Sequence, residues 1–243
     1  MSIEPGIPEV SVDVVRVFTD ADGMFGNELG VVQTSVATRG SEQSIATQLG
    51  FSETVFVDEV TQPDESGARS AAIRIFTPAG ELPFAGHPSV GTAWWLAGRA
   101  TPVTVLEESA GSVLVAVEDD ITWIRGEAAW APEFEFTELA TPDAVEALDP
   151  ASYTNGHFYL WSWIDESAGR IRSRMFAPDM GIVEDEATGA AAVRITTNLG
   201  RDLQIEQGHG SRISTRLVAG GASDGGASVD VGGRTVYDRT VTI

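Results

Sequence analysis

The period of the apolar and polar positions changes several times along the chain, and each change marks an element. Ser11 to Thr19 (S-V-D-V-V-R-V-F-T) alternates as a half-buried strand does, and Asn27 to Thr34 resumes after a glycine-containing turn, which predicts a hairpin. Ser41 is placed to cap a helix whose Ile45 and Leu49 share one face and which Gly50 ends; Glu53 to Val57 is again strand. Thr61 to Ser70 is a polar loop and Ala71 to Phe76 a strand. The apolar run beyond it predicts a helix from Pro88 to Gly98 with almost no polar side. Thr101 to Leu106 and Ser112 to Val117 read as a second hairpin, and Glu118-Asp119-Asp120 then breaks the pattern. That break divides the chain into expected domains 1–118 and 119–243, with the last strand able to cross back to the first domain.

Ile121 to Arg125 opens the second half as a strand, Thr141 to Leu148 is a short capped helix, and His157 to Ile164 is a strongly apolar strand. Leu203 to Glu206, Ile213 to Val218, Ser228 to Val231 and Thr235 to Ile243 read as short strands separated by glycine turns, and Gly220 to Gly226 as a mobile loop.

The halves repeat one another. Arg74-Ile-Phe-Thr-Pro78 answers Arg174-Met-Phe-Ala-Pro178. Each is followed by an acidic, glycine-containing turn and then by a helix opening on small residues, Ser89-Val-Gly91-Thr-Ala93 and Ala187-Thr-Gly189-Ala-Ala191. A helix that is apolar on most sides must be covered on most sides, which points to strands curled around it. Two such units bring two helix N-termini to one cleft, where unpaired N–H groups suit a carboxylate.

Composition narrows the chemistry. The 243 residues carry 15 basic and 36 acidic side chains, a formal charge of −21, which argues against nucleic acid or an anionic membrane surface as a partner. All the basic residues are Arg, so lysine Schiff-base and pyridoxal-phosphate chemistry are excluded. The chain has no Cys, which excludes disulfides, thiolate catalysis and Cys-ligated metal centres. No apolar run approaches the roughly 20 residues that cross a bilayer, and Met1 to Val10 has neither a basic start nor an apolar core. The expectation is a cytoplasmic protein.

Among the acids, Glu53 stands at a strand start after a helix-ending glycine, an edge at which a carboxylate is partly desolvated and gains strength as a general base. His87, one of 3 His, stands at the mouth of the first apolar helix, where a catalytic and a purely structural role are both open. Asp185 occupies the matching turn before the second helix, where an N-cap is the simplest reading. Glu184 and Glu186 flank it, but no ligand spacing supports a metal. Ser52 and Ser89 lack a nucleophile-elbow context, and Gln207-Gly208-His209-Gly210 is a glycine-rich turn, not a dinucleotide fingerprint.

Five stretches taken together carry a resemblance. They are Phe25 to Val32 (F-G-N-E-L-G-V-V), Leu49 to Val57 (L-G-F-S-E-T-V-F-V), Arg74 to Ala93 with its G-E-L-P-F-A-G-H-P phrase, Glu184 to Ala191 (E-D-E-A-T-G-A-A) and Ile205 to Gly208 (I-E-Q-G). In this order the chain resembles the phenazine-biosynthesis PhzF-like family. The resemblance implies an α+β, diaminopimelate-epimerase-like fold: two pseudo-symmetric halves, each a barrel-like, mostly antiparallel sheet around a central apolar helix, with the site between them. It implies a homodimer and a cofactor-free isomerase of a small cyclic carboxylate, the family's characterised substrate being dihydro-3-hydroxyanthranilic acid. Glu53 would move a proton between ring carbons, assisted by His87 and Asp185. The implied substrate-binding set is Asn27, Gly86, Ser89, Thr188, Gly189, Ala190, Gln207 and Gly208, with no metal. The chain departs from the family pattern where Glu186 replaces a Pro, where Ala190 replaces a Ser, and where His209 to Ser214 replaces M-G-R-P-S. These departures leave open a second reading, a binding or scaffold protein without turnover.

Overall fold

A computed structural model of the chain describes residues 9–218 and 226–243; most of the expected loop at 220–226 lies outside them. In chain order the first half comprises β1 (Ser11–Thr19), β2 (Asn27–Gln33), α1 (Glu42–Leu49), β3 (Glu53–Val60), β4 (Ser70–Phe76), β5 (Glu81–Leu82), α2 (Gly86–Gly98), β6 (Val105–Glu108) and β7 (Gly111–Glu118). The second comprises β8 (Ile121–Glu127), β9 (Glu135–Glu138), α3 (Pro142–Glu146), β10 (Phe158–Asp165), β11 (Arg170–Ala177), β12 (Ile182–Asp185), α4 (Gly189–Leu199), β13 (Leu203–Gln207) and β14 (Ser211–Val218), and β15 (Ser228–Thr242) follows.

The repeat reappears as a repeat of pairing. In the first half β2 runs parallel to β3, β3 antiparallel to β4, β4 parallel to β6 and β6 antiparallel to β7. In the second, β9 runs parallel to β10, β10 antiparallel to β11, β11 parallel to β13 and β13 antiparallel to β14. Parallel neighbours need a crossover, and α1, α2, α3 and α4 fall within those crossovers. The strand order β1-β2-β3-β4-β6-β7-β8-β15 closes through β1 pairing with β15, a barrel of 8 strands around α2; β14, β13, β11, β10 and β9 continue from β15 over α4.

A side-chain clip marks each half in the same place. Arg74 of β4 binds Glu81 through two nitrogens at 2.8 Å each and stacks on Phe76, and Arg174 of β11 binds Glu184 at 2.8 and 2.6 Å and stacks on Phe176. Paired forks of this kind fix the hairpin that precedes each central helix. α2 is buried from Gly86 through Ala93 and again at Trp95 and Leu96, as its composition requires, whereas α4 keeps a partly exposed flank through Arg194 and Thr197.

Several expectations are corrected. α2 begins at Gly86, two residues before Pro88, which sits in the first turn where its missing N–H leaves nothing unpaired. Ser41 precedes α1 but its hydroxyl makes no capping bond, while Thr141 does cap α3, accepting from the Ala144 N–H. Ser228 to Ile243 is one long strand, not two around a glycine turn. A Cβ at Gly232 would stand 2.4 Å from the Trp123 ring and one at Gly233 2.4 Å from the Phe18 ring, so these glycines admit aromatic rings against a continuous strand. Among the described residues no helix is long and apolar enough to cross a membrane.

Candidate active site

The N-termini of α2 and α4 touch. A Cβ on Gly86 would lie 2.8 Å from the Gly189 Cα, and one on Gly189 would lie 2.8 Å from the Gly86 Cα, so only glycine fits at either position. The two mouths therefore open side by side on a cavity of about 410 Å³, lined by Glu53, Asp185, Thr188 and Ala190 and by a predominantly apolar wall. Phe84, Trp130, Phe134, Met175 and Ile182 belong to that wall, and so does His157.

β3 begins at Glu53 because Gly50, at φ 70°, ends α1 and turns the chain back beside β2, where Leu29 faces Glu53. The carboxyl is 13% exposed, and its Oε2 lies 3.5 Å from the Nε2 of His87; within the described residues neither atom has a hydrogen-bond partner. Burial, followed by the negative charge of Asp185, holds the Glu53 carboxyl well above the usual carboxylate range. His87, in the first turn of α2, is driven down to about 3 by burial, against a hydrogen bond to the Glu28 backbone. At neutral pH the ring is uncharged, so it offers Glu53 no positive charge to favour its ionised form.

Asp185, at the end of β12, is held differently. Its Oδ1 accepts from Asn27 Nδ2 at 2.7 Å and its Oδ2 from the Thr188 hydroxyl at 2.5 Å, while Gln207 Nε2 reaches the Asp185 carbonyl at 3.0 Å and Thr188 Oγ1 at 2.8 Å. Burial raises its carboxyl to about 6, opposed by the Thr188 and Asn27 bonds. Two donors favour its charged form, and the charge on Asp185 in turn opposes ionisation of Glu53.

The structure thus brings Glu53, His87, Asp185, Asn27, Gly86, Thr188, Gly189, Ala190 and Gln207 together around the paired mouths. Ser89 is fully buried, with its hydroxyl 2.7 Å from Ala85 O and 2.6 Å from Glu108, and does not line the cavity. Gly208 lies behind Gln207, where a Cβ would meet Glu186 Oε2 at 2.4 Å. Glu184 is taken by Arg174, and Glu186 accepts from His209 N–H and from Ser211 Oγ and lies 2.7 Å from His209 Nδ1. Among the described residues no group of three or more acids and histidines could hold a metal ion. Sequence reasoning missed the apolar wall. Phe84 lies inside the G-E-L-P-F-A-G-H-P phrase and was the available signal, whereas Trp130, Phe134 and His157 come from the other half.

The model of the PhzC-PhzF family, phenazine biosynthesis-like proteins, matches residues 15–153 and 139–237. A trans-2,3-dihydro-3-hydroxyanthranilate isomerase of Pseudomonas fluorescens is 36% identical over 230 residues, covering 80% of this chain and 76% of its own. The crystal structure of a PhzF-family phenazine biosynthesis protein of Bacillus anthracis superposes with a TM-score of 0.75 at 20% identity, over 97% of this chain and 99% of that one. A probable proline racemase of Agrobacterium radiobacter K84, solved with bound carbonate, shares the fold at a TM-score of 0.64 and 13% identity, covering 96% of this chain and 92% of the other. The chain belongs to the phenazine biosynthesis-like family, as one of its isomerases.

Proposed function

We propose that this protein moves a proton between carbons of a small cyclic carboxylate without a cofactor, Glu53 acting as the general acid and base. The observation that carries this reading is the Glu53 carboxyl itself: buried, unpaired at Oε2 among the described residues and opening on the cavity beside an uncharged His87. A carboxyl that gains nothing from its surroundings as an anion is a strong base once deprotonated, and it returns the proton readily to a second carbon within reach. The substrate carboxylate sits at the joined mouths of α2 and α4, where the backbone N–H groups next to Gly86 and Gly189 are free to donate. Asp185, fixed by Asn27 and Thr188, orients the substrate's polar substituent, and the apolar wall takes the ring face. A ring like that of the Pseudomonas fluorescens relative's substrate meets these demands.

The test is deuterium incorporation at carbon. Cyclic amino acids and dihydroaromatic carboxylates incubated in D₂O exchange a carbon-bound proton with the wild-type protein and not with Glu53→Gln; undiminished exchange in that variant sinks the assignment. Ala190 favours one other reading, because it puts a methyl where a hydroxyl is expected on the cavity surface. In that reading the protein binds a carboxylate and does not turn it over, and a broad panel that binds tightly without exchange supports it. The assembly proposed is a homodimer, which sedimentation at micromolar concentration checks.

A further inference from the structure

The turn between β6 and β7 is docked on the back of the cavity wall. The Ala110 N–H donates to Pro83 O at 2.9 Å, and Gly111 lies against the Trp130 ring, where a Cβ would stand 3.1 Å from Cζ2. Beside this docking Glu108, an acid the proton transfer does not use, is half-buried with its Oε2 shut off from solvent. Its Oε1 is 2.6 Å from the Ser89 hydroxyl, and its Oε2 is buried without a partner among the described residues. Ser89 Oγ is at the same time 2.7 Å from Ala85 O.

A hydroxyl has one hydrogen to give. If Ser89 gives it to Ala85 O, the second short contact needs a hydrogen from Glu108, which must then be protonated. If Ser89 gives it to a Glu108 carboxylate, two bare oxygens face each other at 2.7 Å and a charged Oε2 is left buried with nothing to pair. Only the neutral acid satisfies both contacts. Burial agrees, pushing the Glu108 carboxyl up to about 8 against the Ser89 bond, with no charged group entering among the described residues. Its neighbour Glu107 takes the Ser112 hydroxyl at 2.6 Å, and Glu108 itself meets Ser89 of α2 and, across the β6–β7 pairing, Gly111, neither of which titrates. Glu53, His87 and Asp185 stand at the cavity, beyond the wall formed by Pro83, Phe84 and Ala85.

We propose that Glu108 is a positioning residue: as a neutral acid it donates to Ser89, Ser89 donates to Ala85 O, and this relay sets the peptide plane that opens α2. The Ala85 carbonyl and the Gly86 N–H belong to one planar trans peptide, so pinning the carbonyl behind the wall aims the N–H forward into the mouth. Ionisation of Glu108 turns the Ser89 hydrogen around, leaves Ala85 O with the Ser89 backbone N–H at 3.2 Å in place of two donors, and sets a negative charge behind the carboxylate site. The inference rests on the reading of that mouth as a carboxylate site.

Benzoate, an aromatic carboxylate suited to the apolar cavity, is titrated calorimetrically from neutral to alkaline pH into the protein, Glu108→Gln and Glu108→Leu, all three in a Glu53→Gln background that removes the other raised carboxyl at the cavity. With Glu108 intact, affinity falls about tenfold per pH unit above about pH 8, as loss of one proton requires. Glu108→Gln, whose amide still donates to Ser89, keeps the neutral-pH affinity and loses the alkaline decline; Glu108→Leu binds roughly fivefold more weakly already at neutral pH. An alkaline decline that survives in Glu108→Gln overturns the proposal. In the otherwise unaltered protein, the part of the infrared carbonyl band of protonated carboxylic acids that Glu108→Gln removes, Glu53 supplying the remainder, reads the Glu108 proton at neutral pH with no ligand bound, and a band unchanged by that variant also overturns the proposal. If benzoate binds at no pH, the carboxylate-site reading fails. The band, with a Gly86 amide proton chemical shift that is the same in the wild type and Glu108→Gln and displaced in Glu108→Leu, still decides the role of Glu108.

Discussion

The two helix mouths are built from the same strand–turn–helix unit, yet one holds its acid loosely and the other tightly. At the α2 mouth, Glu53 and His87 face each other across 3.5 Å with no closer polar contact at either facing atom. At the α4 mouth, Asp185 has both oxygens occupied, and Gln207 braces the same turn. Burial acts on both carboxyls; the difference lies in the number of donors supplied. An acid without donors is poised to exchange its proton, and an acid with two is held as a fixed charge. Duplication of a fold unit thus yields one moving part and one anchor, and the asymmetry comes from side chains such as Asn27 that reach across from the opposite half.

The comparison breaks most readily at the acids themselves. Glu53→Gln lowers the rate of carbon–proton exchange by about 10²- to 10⁴-fold, the usual range for a general acid or base, and leaves benzoate affinity within a few fold. Asp185→Asn weakens binding as well, because Asn27 and Thr188 then face an amide; a pure rate effect there makes the two mouths equivalent and removes the distinction. Gly86→Ala and Gly189→Ala each cost about 3 kcal/mol in denaturant unfolding, since each added methyl meets the other helix's backbone. Unequal costs show that one mouth yields more easily than the other.

Stability against pH separates the mouths further. A carboxyl whose pKa is raised by folding binds its proton more tightly in the native state, so it withdraws stability as pH climbs from its unfolded value to its folded one. For Asp185 that window runs from 3.8 to about 6, and for Glu53 from 4.5 upward. Glu53→Leu therefore stabilises the protein at alkaline pH by about 1–3 kcal/mol, the cost of an unpaired buried polar group, and gains less near pH 5. Equal gains at both pH values mean that Glu53 is not carrying the proton. The smallest effect belongs to Thr188→Val, about 1 kcal/mol for one hydrogen bond, with the Asp185 carboxyl titrating higher by carbon-13 NMR.

What could be read from the sequence was local. Arg74 and Phe76 recur as Arg174 and Phe176 because each hairpin needs the same clip, and a clip within one hairpin leaves its spacing in the chain. Gly50 was legible as the end of α1 because a left-handed cap is also a local feature. Glu108 was not, since nothing near it in sequence signals burial; its partner Ser89 lies in α2. β9, β5 and β12 are too short to show a period, and Gly232-Gly233 reads as a turn until Trp123 and Phe18 are seen to need the room. Ser89 stood among the substrate contacts through the resemblance alone, but a helix rotates successive residues, and its hydroxyl faces Glu108 behind the wall.

β15 reaches across the whole molecule: Thr242 lies beside Ser11 of β1, and Val231 lies between Thr215 of β14 and Ile124 of β8. The barrel around α2, which carries Glu53 on its wall, therefore lacks one stave until the last strand has been synthesised. Joining strands so distant along the chain is entropically slow, and during that delay the edges of β1 and β8 are exposed to mispairing. Although the fold looks like two modules, closure of the first half waits for the strand that follows the second.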